Sequence, residues 1–177
     1  MSEALELQLT LYPEPVLRKR AVAVETFGTD LGAFVEAMLD CMRRNQGVGL
    51  AAPQVGDRRR ILVLNPTGDP EDDLVLVNPE IVDRSGPVTL HEEGCLSFPS
   101  IYAEIRRPER CTVVAVDAAG TPLEATYEGF TSRIVQHEFD HLEGVLLVDR
   151  MSPADKLRNR PFLEELVEAY QASRADG

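Results

Sequence analysis

The sequence has few cysteines, few basic residues and no long hydrophobic run, and each shortage excludes a class of protein. Only three cysteines, Cys41, Cys95 and Cys111, occur among 177 residues. An odd and sparse set argues against a disulfide framework and favours a reducing compartment. Lysine and arginine number 18 against 30 aspartate and glutamate residues, which gives a formal net charge of −12. We therefore expect no direct nucleic-acid specificity, because binding to a phosphate backbone needs a basic surface.

No apolar run approaches the roughly 20 residues of a membrane span, so we expect no membrane association. Residues 1–6 are acidic and lack the basic segment of a signal peptide. With the cysteine usage, these features predict a cytoplasmic protein. The length and a composition of 44% hydrophobic and 27% charged residues fit a single domain over residues 1–177.

Hydrophobic periodicity predicts a helix over residues 30–45, a second over about 131–143 and a helical tail over about 152–172. Pro161 is expected to break the tail helix or to begin another. Strands are predicted at 60–65 and 74–78, each ending at an Asn-Pro pair, and at 101–106, 110–117 and 122–128. The turn 117–120 predicts a hairpin between the last two strands.

Two of the three histidines lie four residues apart in the segment Gln136–Leu142. On a helix this spacing places His137 and His141 on one face, where both can bind one metal. Glu138 follows the first histidine, and in this HExxH pattern a glutamate takes a proton from a metal-bound water. The alternative is a helix that carries two histidines and an acid near a solvated end.

Two histidines leave a metal under-coordinated, and the segment 89–97 offers His91 and Cys95 as further ligands. A thiolate is the stronger ligand for a borderline or soft metal, and Gly94 leaves the surroundings of Cys95 open. The residues favour Cys95 as the third ligand. The alternatives are a carboxylate ligand in that position and a buried cysteine with only a structural role.

Three segments, 47–54, 93–97 and 136–141, resemble the peptide deformylase family in order and spacing. The resemblance extends from about Tyr12 to Met151, and the helical tail is similar to that of the bacterial branch. It implies an α+β fold with mainly antiparallel sheets around a central HExxH helix, plus an N-terminal and a C-terminal helix. It also implies removal of the formyl group from formyl-methionine at the start of newly synthesised polypeptides, with release of formate.

The resemblance assigns roles to particular residues. Cys95, His137 and His141 bind one divalent ion, ferrous iron in the cell, with zinc, nickel or cobalt possible after purification. Glu138 is the general acid and base, and the Gln54 side chain and the Leu96 N–H hold the oxyanion. Transient docking on the ribosome and a monomeric state are further expectations.

The resemblance also places the substrate. Its backbone pairs with Val48, Gly49 and Gly94, and its methionine side chain enters a pocket formed by the following residues: Val48, Tyr102, Phe130, Arg133, Ile134 and His137. Plain helix packing is the alternative for Phe130 and Ile134.

Glu93 and Asp140 are predicted either to orient metal ligands or to be solvated acids, and His91 is expected not to bind metal. The arginine runs 58–60 and 106–107 are predicted to be solvated strand ends, with an Arg107–Glu93 pair as an alternative. A zinc peptidase and a non-catalytic module with a structural metal are the competing functions.

Overall fold

The computed structural model describes residues 5–175, which form four α-helices and five strands. The helices are α1 (Thr29–Arg44), α2 (Gly129–Leu142), α3 (Leu147–Arg150) and α4 (Pro153–Ala175). The strands are β1 (Gly49–Ala51), β2 (Ile61–Leu64), β3 (Leu74–Cys95), β4 (Phe98–Val116) and β5 (Pro122–Glu128). Short 3₁₀ helices cover Pro15–Arg18, Ala52–Val55 and Pro70–Asp72.

The five strands form one antiparallel sheet in the order β1-β2-β3-β4-β5. Strands β3 and β4 are much longer than the others, and only two residues, Leu96 and Ser97, connect them. This tight connection places Cys95 and Leu96 at the end of a long hairpin.

Helices α1 and α2 pack on opposite faces of β2, whose four residues are all buried. Side chains alternate between the two faces of a strand. Accordingly, Ile61 and Val63 pack with α1, while Leu62 and Leu64 pack in the cluster that contains Ile134 and Val135 of α2. Because every residue of α2 from Ser132 to Leu142 is buried, this helix is held rigidly at the centre of the fold.

The α+β class and the central helix are confirmed, as are the helix predicted at 30–45, the strand at 60–65 and the hairpin into 122–128. The prediction that a strand ends at Asn78-Pro79 is wrong, because β3 continues to Cys95. Asn78 instead adopts a positive φ of 52° at a register shift, and its side chain bonds the backbone N–H and carbonyl of Val24. The asparagine thus makes a bulge rather than a strand end.

The two strands predicted at 101–106 and 110–117 are one continuous strand. Pro108 lies within it, opposite Val88, and the pairing with β5 begins only at Arg110. One edge of β4 therefore has no neighbouring strand at Pro108, and the missing N–H of the proline is tolerated there.

The C-terminal helix begins where the sequence predicts, since the Ser152 hydroxyl accepts a hydrogen bond from the Asp155 N–H at 3.1 Å. The predicted break at Pro161 is wrong, because α4 runs through it. A proline leaves the carbonyl four residues earlier without its helical donor, and here that residue, Leu157, is 67% exposed to solvent. Among residues 5–175, no helix is long and apolar enough to cross a membrane.

Candidate active site

Cys95, His137 and His141 converge, and one possible ligand atom from each lies within 4.8 Å of the others. Cys95 comes from the end of β3, whereas the two histidines lie one turn apart on α2. The Cys95 sulfur is 3.3 Å from Nε2 of His141. His91 lies exposed on β3 and does not join the cluster. Of the open alternatives for the third position, the structure brings only Cys95 to the histidines.

The two imidazoles of the site differ in protonation state. Burial lowers the pKa of His141 well below its ordinary value, so its ring is neutral, and Nδ1 has no hydrogen-bond partner. Nδ1 of His137 is 3.0 Å from a carboxylate oxygen of Glu93. Burial lowers the pKa of His137, but contacts with Cys95 and Glu93 outweigh burial and raise it well above the ordinary value. A bound metal would replace the proton that the ring then carries.

A thiolate sulfur and two imidazole nitrogens form a donor set that fits a divalent transition-metal ion. Three protein ligands leave a coordination position open, as catalytic sites require, whereas structural sites are closed by four. Among the residues that the structure describes, no fourth histidine, cysteine or acidic ligand joins this group.

Glu138 lies beside the three ligands with 4% of its surface exposed. Its Oε2 atom is buried without a hydrogen-bond partner, and burial raises the pKa of the carboxyl to about 7. A glycine is required opposite it, because a Cβ on Gly49 would lie 2.6 Å from Glu138 Oε1 and 2.7 Å from Ile134 Cγ2. Strand β1 can therefore approach α2 closely, and the carboxylate stays at the wall of a cavity.

Gln54 lies on the 3₁₀ helix that follows β1 and is 1% exposed. Its carbonyl oxygen accepts a hydrogen bond from the Ala51 N–H at 2.9 Å. The amide nitrogen donates to the Ser97 hydroxyl at 3.3 Å and lies 3.5 Å from the Cys95 sulfur. The Ala51 contact thus orients the amide so that its N–H groups point toward Cys95 and Ser97. Leu96 follows Cys95 at the hairpin end and lines the cavity, which Gln54 does not.

A cavity of about 570 Å³ opens beside these groups. Its wall contains every residue predicted to bind substrate: Val48, Gly49, Gly94, Tyr102, Phe130, Arg133 and Ile134. Val48, Tyr102 and Phe130 are exposed at 42%, 55% and 56%, which rules out plain helix packing for Phe130. Ile134 is 4% exposed, and it both packs in the core and lines the cavity.

Sequence reasoning missed the part of the wall that comes from the N-terminal segment, namely Leu9 and Leu11. Backbone hydrogen bonds hold this segment, from Thr10 N–H to the Gln54 carbonyl at 2.7 Å and from Tyr12 N–H to the Ser97 carbonyl at 3.0 Å. It also missed residues that flank the predicted ones: Asn45, Gln46, Gly47, Glu92, Phe98, Pro99, Ser100 and Ile101. The cavity wall brings together residues from distant parts of the chain, and no local sequence pattern indicates which residues take part.

A buried ionic network surrounds the site, and its centre is Glu93. Oε1 of this residue accepts hydrogen bonds from Arg107 Nε and Arg133 Nη1, both at 2.7 Å, and Oε2 accepts one from Arg107 Nη2 at 3.0 Å. The Arg107–Glu93 pair is therefore confirmed, and Glu93 and Asp140 are not solvated acids, because both are buried. Arg133 lines the cavity, but its guanidinium is engaged by Glu93 and by the backbone of Thr89 and Ile105.

The prediction that the two arginine runs are solvated is wrong for Arg107, which is 4% exposed, and for Arg60, which is 6% exposed. Arg60 is buried because it bonds Glu143 at 2.6 Å and the Pro79 carbonyl at 3.0 Å. A buried charge is tolerated only when it is paired in this way.

The model of the polypeptide deformylase family matches residues 6–157. The peptide deformylase of Thermotoga petrophila is 42% identical over 160 residues, 90% of this chain and 96% of that protein. A crystal structure of the Thermotoga maritima peptide deformylase has a TM-score of 0.80 at 42% identity, covering 84% of this chain and 99% of that one. The chloroplastic peptide deformylase 1B of Oryza sativa is 41% identical over 94% of this chain, which spans 63% of that longer relative.

Proposed function

The chain belongs to the polypeptide deformylase family, and we propose that it is a metal-dependent hydrolase that removes the N-formyl group from newly synthesised polypeptides. Its substrate is the N-terminal formyl-methionine, and its products are formate and a free amino terminus. One observation carries the proposal: Cys95, His137 and His141 converge beside a cavity whose wall includes Glu138.

The three converging residues would hold one divalent ion. When bound, the ion would lower the pKa of a water molecule and polarise the formyl carbonyl. The thiolate and two imidazoles suit ferrous iron or zinc, and the family favours ferrous iron, with zinc, nickel or cobalt as substitutes.

Glu138 moves the protons of the reaction. Its Oε2 atom has no partner and is free to accept a proton from the attacking water. The same oxygen then gives the proton to the nitrogen of the departing amine. Burial raises the pKa of this carboxyl above its ordinary value, which favours its role as an acid that returns the proton to the amine.

Gln54 and Leu96 stabilise the negative charge that develops on the formyl oxygen. The Ala51 N–H fixes the carbonyl oxygen of Gln54. The N–H that now faces the Cys95 sulfur at 3.5 Å is the one that would turn to the oxyanion. The backbone N–H of Leu96, at the hairpin end, supplies the second donor. Both donors favour the transition state over the substrate, which is how such contacts raise the rate.

The cavity binds the substrate chain. Val48 and Gly49 on one side and Gly94 on the other offer backbone groups that can pair with an extended peptide. Gly94 also keeps this wall open, since a Cβ there would lie 2.8 Å from the Tyr102 ring. We infer that the methionine side chain packs against Ile134 and the other residues predicted for its pocket. Transient ribosome docking, a monomeric state, a cytoplasmic location and one domain over residues 1–177 stay predictions.

Formate release from a formyl-Met-Ala-Ser peptide, with metal analysis of the same sample, tests the proposal. We expect stoichiometric formate and free amine, with about one ion per active chain. Internal cleavage of unformylated peptides without formate would identify a zinc peptidase instead. Metal at full occupancy with neither reaction would indicate a structural site.

A further inference from the structure

Arg150 ends the short helix α3 and lies outside the cavity. Its side chain is 45% exposed, whereas the side chain of its partner Asp140 is 10% exposed. Nε of Arg150 donates to Oδ2 of Asp140 at 3.1 Å, and Nη2 donates to Oδ1 at 2.7 Å. This two-point contact fixes the plane of the Asp140 carboxylate, as paired guanidinium and carboxylate groups do.

Further hydrogen bonds connect Asp140 to the residues beside the metal-ligand candidates. Oδ2 of Asp140 also accepts a hydrogen bond from Nη1 of Arg107 at 2.9 Å. The other side of the Arg107 guanidinium holds both oxygens of Glu93. Glu93 in turn contacts Nδ1 of His137. Three charged groups, Asp140, Arg107 and Glu93, therefore connect the partly exposed Arg150 to a metal-ligand candidate, His137.

Arg107 lies between two carboxylates, and its planar guanidinium cannot turn toward one without loosening the other. Without Arg150, Asp140 would keep a single charged partner in a buried place and would draw Arg107 toward itself. The hydrogen bonds from Arg107 to Glu93, and the orientation of the His137 ring, would then change.

We propose that Arg150 is a positioning residue that holds His137 in its metal-binding orientation through Asp140, Arg107 and Glu93. The proposal rests on the proposed function in one respect, the role of His137 as a metal ligand. Removal of a direct partner of a ligand typically costs about 10–100-fold in metal affinity. Arg150 acts from further out, so about 3–10-fold is expected.

The chain offers a matched control in Arg18. Its side chain is also 45% exposed, and it pairs with Asp149, the residue next to Arg150 on α3. Both arginines thus tie α3 to another part of the protein through an acid, and each loss removes one positive charge. In the part of the chain that the structure describes, Arg18 has no ionic contact with Asp140.

The experiment uses the full-length protein loaded with cobalt(II). Cobalt affinity, by competition with a chelator, and the visible absorption of the bound ion are measured for the parent, Arg150→Ala, Arg150→Lys and Arg18→Ala. We expect Arg150→Ala to weaken cobalt binding about 3–10-fold and to shift the spectrum. Arg150→Lys should recover part of both, because one ammonium can neutralise Asp140 without gripping both oxygens. Arg18→Ala should match the parent.

Two results would overturn the proposal: parent-like affinity and spectrum in Arg150→Ala, or changes of equal size in Arg18→Ala, which would indicate a general loosening of α3. Failure of the parent to bind cobalt would overturn both proposals. If the parent binds cobalt, its formate release distinguishes the failure of one proposal from the failure of the other. A parent that releases no formate, together with a cobalt spectrum that changes in Arg150→Ala, would support the positioning role and refute the proposed function.

Discussion

Glu93 and His137 are joined by a contact of 3.0 Å between Oε2 and Nδ1, which fixes the orientation of the imidazole ring. Burial would raise the pKa of Glu93, but the contacts with His137 and Arg107 outweigh it and hold the pKa well below its usual range. Glu93 is therefore a carboxylate that accepts the hydrogen bond, and Nδ1 donates it. Nε2 is left to face the metal position, as is usual for a histidine oriented by an acid.

Replacing Glu138 with glutamine should leave metal content unchanged and lower kcat by about 10²–10⁴, because the variant cannot accept the proton. Metal content and initial rates are measured on the same preparation. Glu124→Gln is the control, since that acid lies exposed on β5 and outside the cavity, and this variant should keep its activity. Stoichiometric loss of metal in Glu138→Gln would mean that Glu138 is a ligand.

Replacing Cys95 with alanine should weaken metal binding and abolish turnover, because two imidazoles alone hold the ion poorly. Metal analysis after dialysis provides the measurement. His91→Ala and Cys111→Ala serve as controls, because His91 is exposed and Cys111 lies in the core against Ser132, and both should keep their metal. Full occupancy and normal activity in Cys95→Ala would transfer the ligand role to another residue.

Replacing Gln54 with leucine removes one oxyanion donor, and kcat should fall by about 10²–10³ while KM changes far less. Ser97→Ala is the matched control, since it removes the partner of the Gln54 amide but keeps the donor, and its kcat should stay within a few-fold of the parent. A rise in KM with kcat intact would instead place the Gln54 contact in the ground state.

Acetyl-Met peptides should be deacylated at least about 10²-fold more slowly than formyl-Met peptides, a difference of roughly 2.7 kcal/mol. An acetyl group adds a methyl where Glu138, Gln54 and Leu96 must crowd the reacting carbon, and its carbonyl is less electrophilic. Free-amine release from the two peptides is compared as kcat/KM. Comparable values would indicate an amidase of broader specificity.

The sequence patterns predicted correctly the features that depend on interactions between residues close together in the chain. The period of the apolar residues predicts α1, and the spacing of His137 and His141 places both on one face of α2, because helix geometry depends on near neighbours. The two proline-based predictions failed for the opposite reason. At Asn78-Pro79 and at Pro161, tertiary contacts or solvent satisfy the backbone, so the element continues.

The ionic network was beyond such reasoning. Glu93, Arg107 and Asp140 come from β3, β4 and α2, and their pairing depends on the register of a long hairpin against a helix. Arginines in a strand resemble solvated residues until the partners that bury them are known. The same limit applies to Leu9 and Leu11, which only the folded chain brings to the cavity wall.

The central claim, that formyl removal depends on one ion held by Cys95, His137 and His141, is tested most directly by metal titration. The protein is stripped with a chelator without oxygen and titrated with ferrous iron while formate release from a formyl-Met peptide is measured. Activity should be near zero in the stripped protein and should rise linearly to a plateau at one ion per chain. Full formate release without metal, or a plateau well away from one ion per chain, would contradict the account.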